Sequence, residues 1–212
     1  MRVVVGSGSS RDFKQAELDR HLEMMARFVE RALAESGQPL AFTMILRSAR
    51  SGPAQALISM KDELLRAGVI AKVILAKLDP QEDVRQLFTS LSELAPREPA
   101  PELIRWARNP CLLDAHEQVI YGDAMCWSGD AMRRDADKRN ALTLFDEAAP
   151  DTVRLGRLAF EALWAAASLV PERRLHGRMT TKPSGAFEQT SEEAVAVSPL
   201  RPSLQGWPLV RH

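Results

Sequence analysis

The sequence has few cysteines and no long apolar segment. Its two cysteines, Cys111 and Cys126, give neither a disulfide framework nor metal-ligand spacing. Each lies in an apolar, strand-like context, where a free cysteine usually behaves as a small hydrophobic residue. The longest apolar run, LAFEALWAAASLV, is well short of the roughly 20 residues that span a bilayer. Because the N-terminal MRVVVGSGSS is too polar for a secretory signal, we expect a soluble cytoplasmic protein that does not bind a membrane.

The sequence also lacks an excess of charge of either sign. Its 28 Lys and Arg residues balance 28 Asp and Glu residues, so no net field attracts a polyanion. This argues against a general nucleic-acid coat, although local basic patches are compatible with a balanced sum. The four histidines are scattered and are not paired with Cys or Asp at metal-ligand spacing. We therefore expect no metal ion and no other cofactor.

The first half of the sequence alternates between helical and strand-like patterns. The predicted elements are a helix over 14–36, a strand over 40–46, a helix over 51–68, a strand over 69–75 and a helix that begins at Asp79 and Pro80. Both strands are continuous apolar runs, which is typical of central strands covered on both faces. The order predicts an α/β fold, a mixed sheet with helices on both faces.

The second half changes to strand after strand. We predict two strands within 111–125, joined by a turn near Ala115 to Gln118, and a further strand that opens with Asn140. Pro150 and Asp151 then begin a helix. Its expected apolar face holds Leu155, Leu158, Ala159, Ala162, Leu163 and Ala166. From Pro171 onward the pattern favours an extended, proline-containing tail, so we divide the chain into a domain over 1–170 and a tail over 171–212.

Common nucleotide and hydrolase motifs are missing. Gly6 and Gly8 follow a strand-like start, but Arg11 stands where a dinucleotide-binding loop would have its third glycine. A polar turn is the expected structure there. The sequence contains neither a G-x-S-x-G elbow nor a P-loop.

The segment NPCLLDAHEQVIYGDAMCWSGDAMRRDADKRNALTLF, with the later LGRLAFEALWAAAS, resembles a phospholipase D superfamily half-domain. That family's signature is H-x-K, four residues, D, a short hairpin, a Gly-containing turn, and a strand beginning with Asn. Asp114 falls on the family's Asp, Asn140 on its second Asn, and Trp164 at the end of its closing helix. Upstream, ALISMKDELLRAGVIAKVIL is similar to the family's helix and following strand. The resemblance covers roughly residues 14 to 170.

Two positions depart from the family's pattern. Its catalytic His and Lys fall on Ala107 and Asn109. In that family the His attacks phosphorus, and an alanine methyl cannot act as a nucleophile. Loss of the Lys removes a fixed positive charge that would stabilise the transition state. The resemblance therefore implies a retained fold without the family's chemistry, and it also implies a homodimer, with apolar surface near CWSG as its expected seam.

Charged residues between 130 and 139 have two interpretations. One is a solvated loop in which Arg133, Arg134, Lys138 and Arg139 pair with neighbouring aspartates. The other is a phosphate site, since Arg side chains bind phosphate through two parallel hydrogen bonds. The candidate phosphate-binding residues are Arg108, Asn109, Ser128, Arg133, Arg134 and Asn140. Trp106 and Trp127 flank this region as core or rim residues, although an indole beside arginines can stack a base.

The leading functional hypothesis is a catalytically degenerate phospholipase D-like domain that acts as a binding or assembly module. Its candidate ligands are a phosphate-containing molecule or nucleic acid. The alternative is an active phosphodiesterase or nuclease that uses His116 with Asp114. His116 has a simpler interpretation, as an exposed residue of the predicted hairpin turn. A nucleic-acid-binding component of a larger complex is a third hypothesis, which the balanced charge weakens.

Overall fold

The computed structural model describes residues 2–3, 10–34, 40–78, 84–134 and 143–176. The strands are β1 (Arg2–Val3), β2 (Ala41–Leu46), β3 (Ile70–Leu75), β4 (Ile104–Trp106), β5 (His116–Tyr121), β6 (Met125–Ala131), β7 (Leu144–Asp146) and β8 (Ser168–Leu169). The helices are α1 (Ser10–Ala34), α2 (Gly52–Ser59), α3 (Lys61–Arg66), α4 (Arg85–Leu94), α5 (Ala100–Leu103), α6 (Pro150–Ala166) and α7 (Glu172–Leu175). A 3-10 helix, Pro110–Asp114, precedes β5.

The strands form one mixed sheet in the order β1-β7-β6-β5-β2-β3-β4-β8. Strands β2, β3 and β4 are parallel, whereas β5 pairs antiparallel with the other side of β2. The chain thus adds β3 and β4 on one side of β2 and then adds β5 on the other side of β2. As a result, the carboxyl ends of β2, β3, β4 and β6 meet the amino end of β5 at one edge of the sheet, which we call the carboxyl edge. In open α/β sheets, ligands commonly bind at the carboxyl ends of strands where the strand order reverses.

Hydrophobic residues cover both faces of this sheet. One face packs against α1, α2, α3 and α4 in a large core that includes Phe28, Phe42 and Trp127. The other face packs against α6, where Ile45 and Ile74 meet Phe160. Because successive strand residues point to opposite faces, β2 and β3 must be apolar at nearly every position. The predicted α/β class, with helices on both faces of a mixed sheet, is confirmed.

The predicted strands over 40–46 and 69–75 are confirmed as β2 and β3. The helix predicted over 51–68 has Pro in its first turn, as expected, and Gly68 follows its end with φ 65°. It is divided at Met60 into α2 and α3. The predicted start at Asp79 and Pro80 lies outside the described residues, and the helix itself begins only after Val84, at Arg85.

The predicted turn near Ala115 to Gln118 is wrong. Residues 116–121 form β5, and the chain reverses at Gly122, whose φ of 60° is readily adopted only by glycine. Cys111 is also misplaced, because it is exposed in the 3-10 helix rather than held in a strand. Cys126 is buried in β6, in accordance with its expected role as a small hydrophobic residue.

Helix α6 begins at Pro150 as predicted, but it buries a different face. Val153, Gly156, Phe160 and Trp164 face the sheet, whereas Leu155 and Leu158 are 62% and 64% exposed. Gly156 allows close approach to the sheet, since a Cβ there would lie 2.6 Å from Nε2 of Gln118. The large aromatic side chains then fill the space further along the helix. When a helix is apolar on two opposite faces, the periodicity of its apolar residues does not show which face is buried.

The described part of the C-terminal region ends with α7. Leu175 is buried, and the ring of His176 packs 5.3 Å from the ring of Phe88. All described residues belong to one compact unit, Met1–Met179. Residues 177–212 lie outside the described part of the chain, so the division into a domain over 1–170 and a tail stays a prediction. Across the described ranges, we find no helix with the length and apolarity to cross a membrane.

Candidate functional site

Several predicted site residues lie together at the carboxyl edge. The backbone of Met132 donates a hydrogen bond to the Ala115 carbonyl (2.8 Å), and that of Arg133 to the Leu113 carbonyl (2.9 Å). These bonds hold the end of β6 against the 3-10 helix that precedes β5. They bring Arg133 to within 3.0 Å of the Asp114 carboxylate.

The two arginines at this edge differ in their surroundings. The Arg133–Asp114 pair is exposed on both sides, and such pairs contribute between about 0 and 1 kcal/mol. Arg134 is also exposed, and its Nη1 lies 3.1 Å from Oδ1 of Asp130, whose side chain is mostly buried. Both guanidinium groups are therefore exposed, and among the described residues each pairs with one carboxylate.

The other predicted phosphate-binding residues are less well placed. The Arg108 guanidinium lies 5.8 Å from the centre of the Trp106 ring. The Asn109 side chain accepts a hydrogen bond from the Cys111 backbone (3.0 Å) and so caps the 3-10 helix. Ser128 is half-buried within β6, opposite Gln118. Asn140, like Lys138 and Arg139, lies outside the described residues.

Trp127 belongs to the core rather than to a binding surface. Its indole is buried, and the His21 ring packs edge-on against it at 4.6 Å. Trp106 is half-buried, and its Nε1 donates to the Ala76 carbonyl (3.3 Å). Stacking of a nucleobase on Trp127 would therefore require opening of the main core.

His116 is the exposed first residue of β5. Its Nδ1 lies 2.8 Å from the Gly129 carbonyl oxygen, which can only accept a hydrogen bond. This contact fixes the proton of the neutral ring on Nδ1 and leaves Nε2 with its lone pair. Asp114, its expected catalytic partner, instead pairs with Arg133.

Ala107 and Asn109, where the sequence resemblance places the family's His and Lys, lie at and just after the end of β4. Ala107 is buried beside Ile74 and Phe160, and its backbone N–H donates to the Leu75 carbonyl (2.8 Å). Asn109 carries no charge and already caps a helix. These two residues supply neither a nucleophile nor a cation at the end of β4.

A buried ion pair at the same edge was not predicted from the sequence. Nη2 of Arg47 lies 2.9 Å from Glu117, and each side chain is only 10% exposed. The Arg47 backbone N–H (2.8 Å) and the Ser51 hydroxyl (3.3 Å) also donate to Glu117. One carboxylate thus receives a charged and two neutral donors. The sequence gives only a weak indication of this pair. Arg47 directly follows an apolar run, and Glu117 interrupts the strand-like pattern before Val119.

Glu17 on α1 adds a second acidic group to this cluster. Burial and the nearby Glu117 carboxylate raise the pKa of Glu17 to about 7, against the opposing effect of Arg47 and Lys14. Burial also raises the pKa of Glu117, and Arg47 opposes that rise. Glu17 is therefore a carboxyl group that exchanges its proton near neutral pH, a property common at functional sites.

One helical turn after Glu17, His21 is fully buried. Burial lowers the pKa of His21 to about 3, so its ring is neutral in the physiological range. Nδ1 lies 3.3 Å from the Tyr121 hydroxyl, and Nε2 has no hydrogen-bond partner within the described ranges. A Cβ at Gly52 would lie 3.4 Å from His21 and 3.5 Å from Glu17. Gly52 therefore allows α2 to begin directly against these two side chains.

We predict that Glu17→Gln changes the pH dependence of stability. Because the pKa of Glu17 is about 7 when folded and 4.5 when unconstrained, only the folded state binds the proton between these values. The free energy of unfolding then falls as pH rises through this window and stays lower above it. A neutral glutamine removes that loss, so urea midpoints of the variant should exceed those of the wild type above pH 7.

Asp19→Asn is the matched control, because Asp19 is exposed on the same helix. The difference in urea midpoint between Asp19→Asn and the wild type should not change across the same buffers. If the curves of urea midpoint against pH run parallel for Glu17→Gln and the wild type, the raised pKa of Glu17 is contradicted.

The described residues contain no group of three or more His, Cys, Asp or Glu side chains that could hold a metal ion.

No protein-family model matches the sequence, and no curated protein matches it. Among solved structures, the chain is similar to the crystal structure of a phospholipase D family member, Nuc from Salmonella typhimurium. The TM-score is 0.42 at 11% sequence identity, and the match covers 69% of this chain and 90% of the other.

Proposed function

We propose that the chain is a phospholipase D-like domain that has lost the family's catalysis and acts as a cytoplasmic binding or assembly module. The observation that carries this proposal is Ala107. The residue that aligns with the family's nucleophile is an alanine whose methyl group is buried in the core. Asn109, which stands at the position of the family's Lys, caps the 3-10 helix that follows it.

A phosphate-containing ligand or nucleic acid is the proposed binding partner. The support is the pair of solvent-accessible guanidinium groups, Arg133 and Arg134, at the carboxyl edge. A phosphate can replace Asp114 as the partner of Arg133, because that ion pair is exposed and weak. The zero net charge means that affinity must come from these local contacts rather than from a long-range field.

Calorimetric titration with pyrophosphate and with a short single-stranded oligonucleotide tests this proposal. Replacing both Arg133 and Arg134 with Gln should weaken binding at least about tenfold, since a charged hydrogen bond contributes about 1.5–3 kcal/mol. Arg66→Gln on α3 is the control, because Arg66 is also exposed but lies outside this edge. Affinity should also fall as salt concentration rises. Equal affinities of the double variant and the wild type, or a flat salt dependence, would contradict the proposed site.

A second candidate function is phosphodiester hydrolysis by His116, as a phosphodiesterase or nuclease. It is favoured by the hydrogen bond between Nδ1 and the Gly129 carbonyl, since this contact engages Nδ1 and orients the ring of an exposed residue at the edge. A histidine in this state can act as a base or nucleophile. Asp114 is not the residue that orients it. Turnover that disappears in His116→Ala would be the signature of this function.

The homodimer belongs to the same proposal, but the expected seam near CWSG is wrong. Cys126 and Trp127 are buried within the fold, and Gly129 is covered by the Trp127 ring. This segment therefore offers no apolar surface to a second copy. A dimer must use a different face of the molecule.

A further inference from the structure

The outward face of α6 is apolar along most of its length. Its exposed apolar residues are Leu155, Leu158, Ala159, Ala162, Ala165 and Ala166. They recur at spacings of three and four, which places them in one stripe along the helix. Leu169, which is 57% exposed, lies just beyond the end of the helix. We call this stripe the outer α6 face.

A helix that covers a sheet needs only one apolar face. The inward face of α6 already provides it, through Val153, Phe160 and Trp164. The opposite face of such a helix normally carries charged and polar residues. Two leucines more than 60% exposed on the outer α6 face are therefore not explained by the packing of the described residues.

We propose that the outer α6 face packs antiparallel against the same face of a second copy of this chain. The proposal rests on the proposed homodimer and specifies its interface. Leu158 lies near the middle of the helix, so a two-fold axis there places it close to its own symmetry mate. Leu155 and Ala162 lie on either side, and the small alanines let the two helices approach within about 8–10 Å.

Charge complementarity favours a second copy over an unrelated partner. Arg154 and Glu161 are exposed, lie on the same side of the stripe and are one heptad apart. Antiparallel pairing about an axis between residues 157 and 158 brings Arg154 of each copy opposite Glu161 of the other. Two identical ion pairs then form, which is the self-complementarity that a two-fold interface requires. Within the described part of one chain, Arg154 forms a long ion pair with Asp151, at 3.6 Å.

The size of the face indicates a weak dimer. Helix α6 has 17 residues and is therefore about 25 Å long. A single helix face of this length buries less than the roughly 800 Å² per partner of a standard interface. We expect dissociation on the order of micromolar concentration, within the range of equilibrium sedimentation.

Sedimentation of the full chain across the micromolar range tests the interface. Leu158→Glu should weaken dimerisation at least tenfold, because two carboxylates would meet at the axis. The control is Leu65→Glu on α3, since Leu65 is also an exposed leucine, at 47%. Both changes are on the surface, and thermal unfolding should show that both variants remain folded.

Charge reversal gives a second, independent measurement. Arg154→Glu and Glu161→Arg should each weaken the dimer, because like charges would then face each other across the axis. The double variant should restore the wild-type dissociation constant. Rescue of this kind does not result from misfolding or from a general loss of surface solubility.

The outcomes separate the interface from the homodimer itself. A wild-type dimer that is unaffected by Leu158→Glu would overturn the α6 interface and leave the homodimer intact. A wild-type monomer at every concentration would overturn both. If the wild type is a monomer and Leu158→Glu makes residues 177–212 more sensitive to protease, that segment covers the face, and the proposal of a second copy fails.

Discussion

Arg47→Met is expected to lower the free energy of unfolding by about 3–5 kcal/mol, the usual cost of leaving a buried charge without its partner. Glu117 would keep its carboxylate in a site that is only 10% exposed. The two remaining donors, the Ser51 hydroxyl and the backbone N–H of residue 47, are neutral and only partly compensate. Urea unfolding followed by tryptophan fluorescence measures the loss.

The double variant Arg47→Met, Glu117→Leu is the informative control. Hydrophobic replacement of both partners removes the uncompensated charge, and such replacements are often neutral or stabilising. We expect recovery of at least half of the loss. Recovery should be incomplete, because the Ser51 hydroxyl and the backbone N–H of residue 47 lose their acceptor when Glu117 is replaced. A single variant as stable as the wild type would show that water reaches Glu117 and that the pair is not buried.

Gly129→Ala is expected to destabilise the protein by about 1–3 kcal/mol through overpacking. A Cβ at this position would lie 2.8 Å from Cη2 and 2.9 Å from Cζ2 of Trp127. The indole cannot move away easily, because His21 packs against it at 4.6 Å and Phe145 at 6.3 Å. Thermal and urea unfolding give the change.

Two variants separate this clash from a general effect on β6. Ser128→Ala changes the neighbouring, half-buried residue and should cost much less. In a Trp127→Leu background, which has its own cost, Gly129→Ala should be better tolerated because the indole is gone. Equal costs of Gly129→Ala in both backgrounds would contradict the contact with the ring.

The fold class was predictable because the sheet imposes a strong pattern on the sequence. The runs over 40–46 and 69–75 are apolar at nearly every position, since β2 and β3 are covered on both faces. The face of α6 was not predictable. The helix is apolar on two opposite faces, and Gly156 selects the buried face through a close approach that periodicity does not encode.

The candidate site was only partly predictable. Arg133 and Asp114 lie in one stretch of sequence, and the structure brings them into contact. Arg47 and Glu117 are 70 residues apart, and only the antiparallel pairing of β2 with β5 makes them neighbours. The raised pKa of Glu17 likewise depends on burial and on that distant carboxylate, and neither is visible in the local sequence.

The carboxyl edge combines exposed arginines with groups that could support proton transfer. Arg133 and Arg134 are the proposed phosphate ligands, whereas Glu17, with its raised pKa, and His116 are the groups on which the alternative, an enzyme, would depend. The proposed loss of catalysis rests on Ala107, a buried residue at the end of β4, where the sequence resemblance places the family's nucleophile.

Hydrolysis of an activated phosphodiester, bis(p-nitrophenyl) phosphate, in the presence of EDTA tests that conclusion most directly. The wild type and His116→Ala should be compared at equal concentration, after both are shown to be folded. If the proposed loss of catalysis is correct, neither protein releases nitrophenol above the buffer blank. Turnover by the wild type that is lost in His116→Ala would contradict it and would identify an enzyme whose nucleophile or base lies at the start of β5.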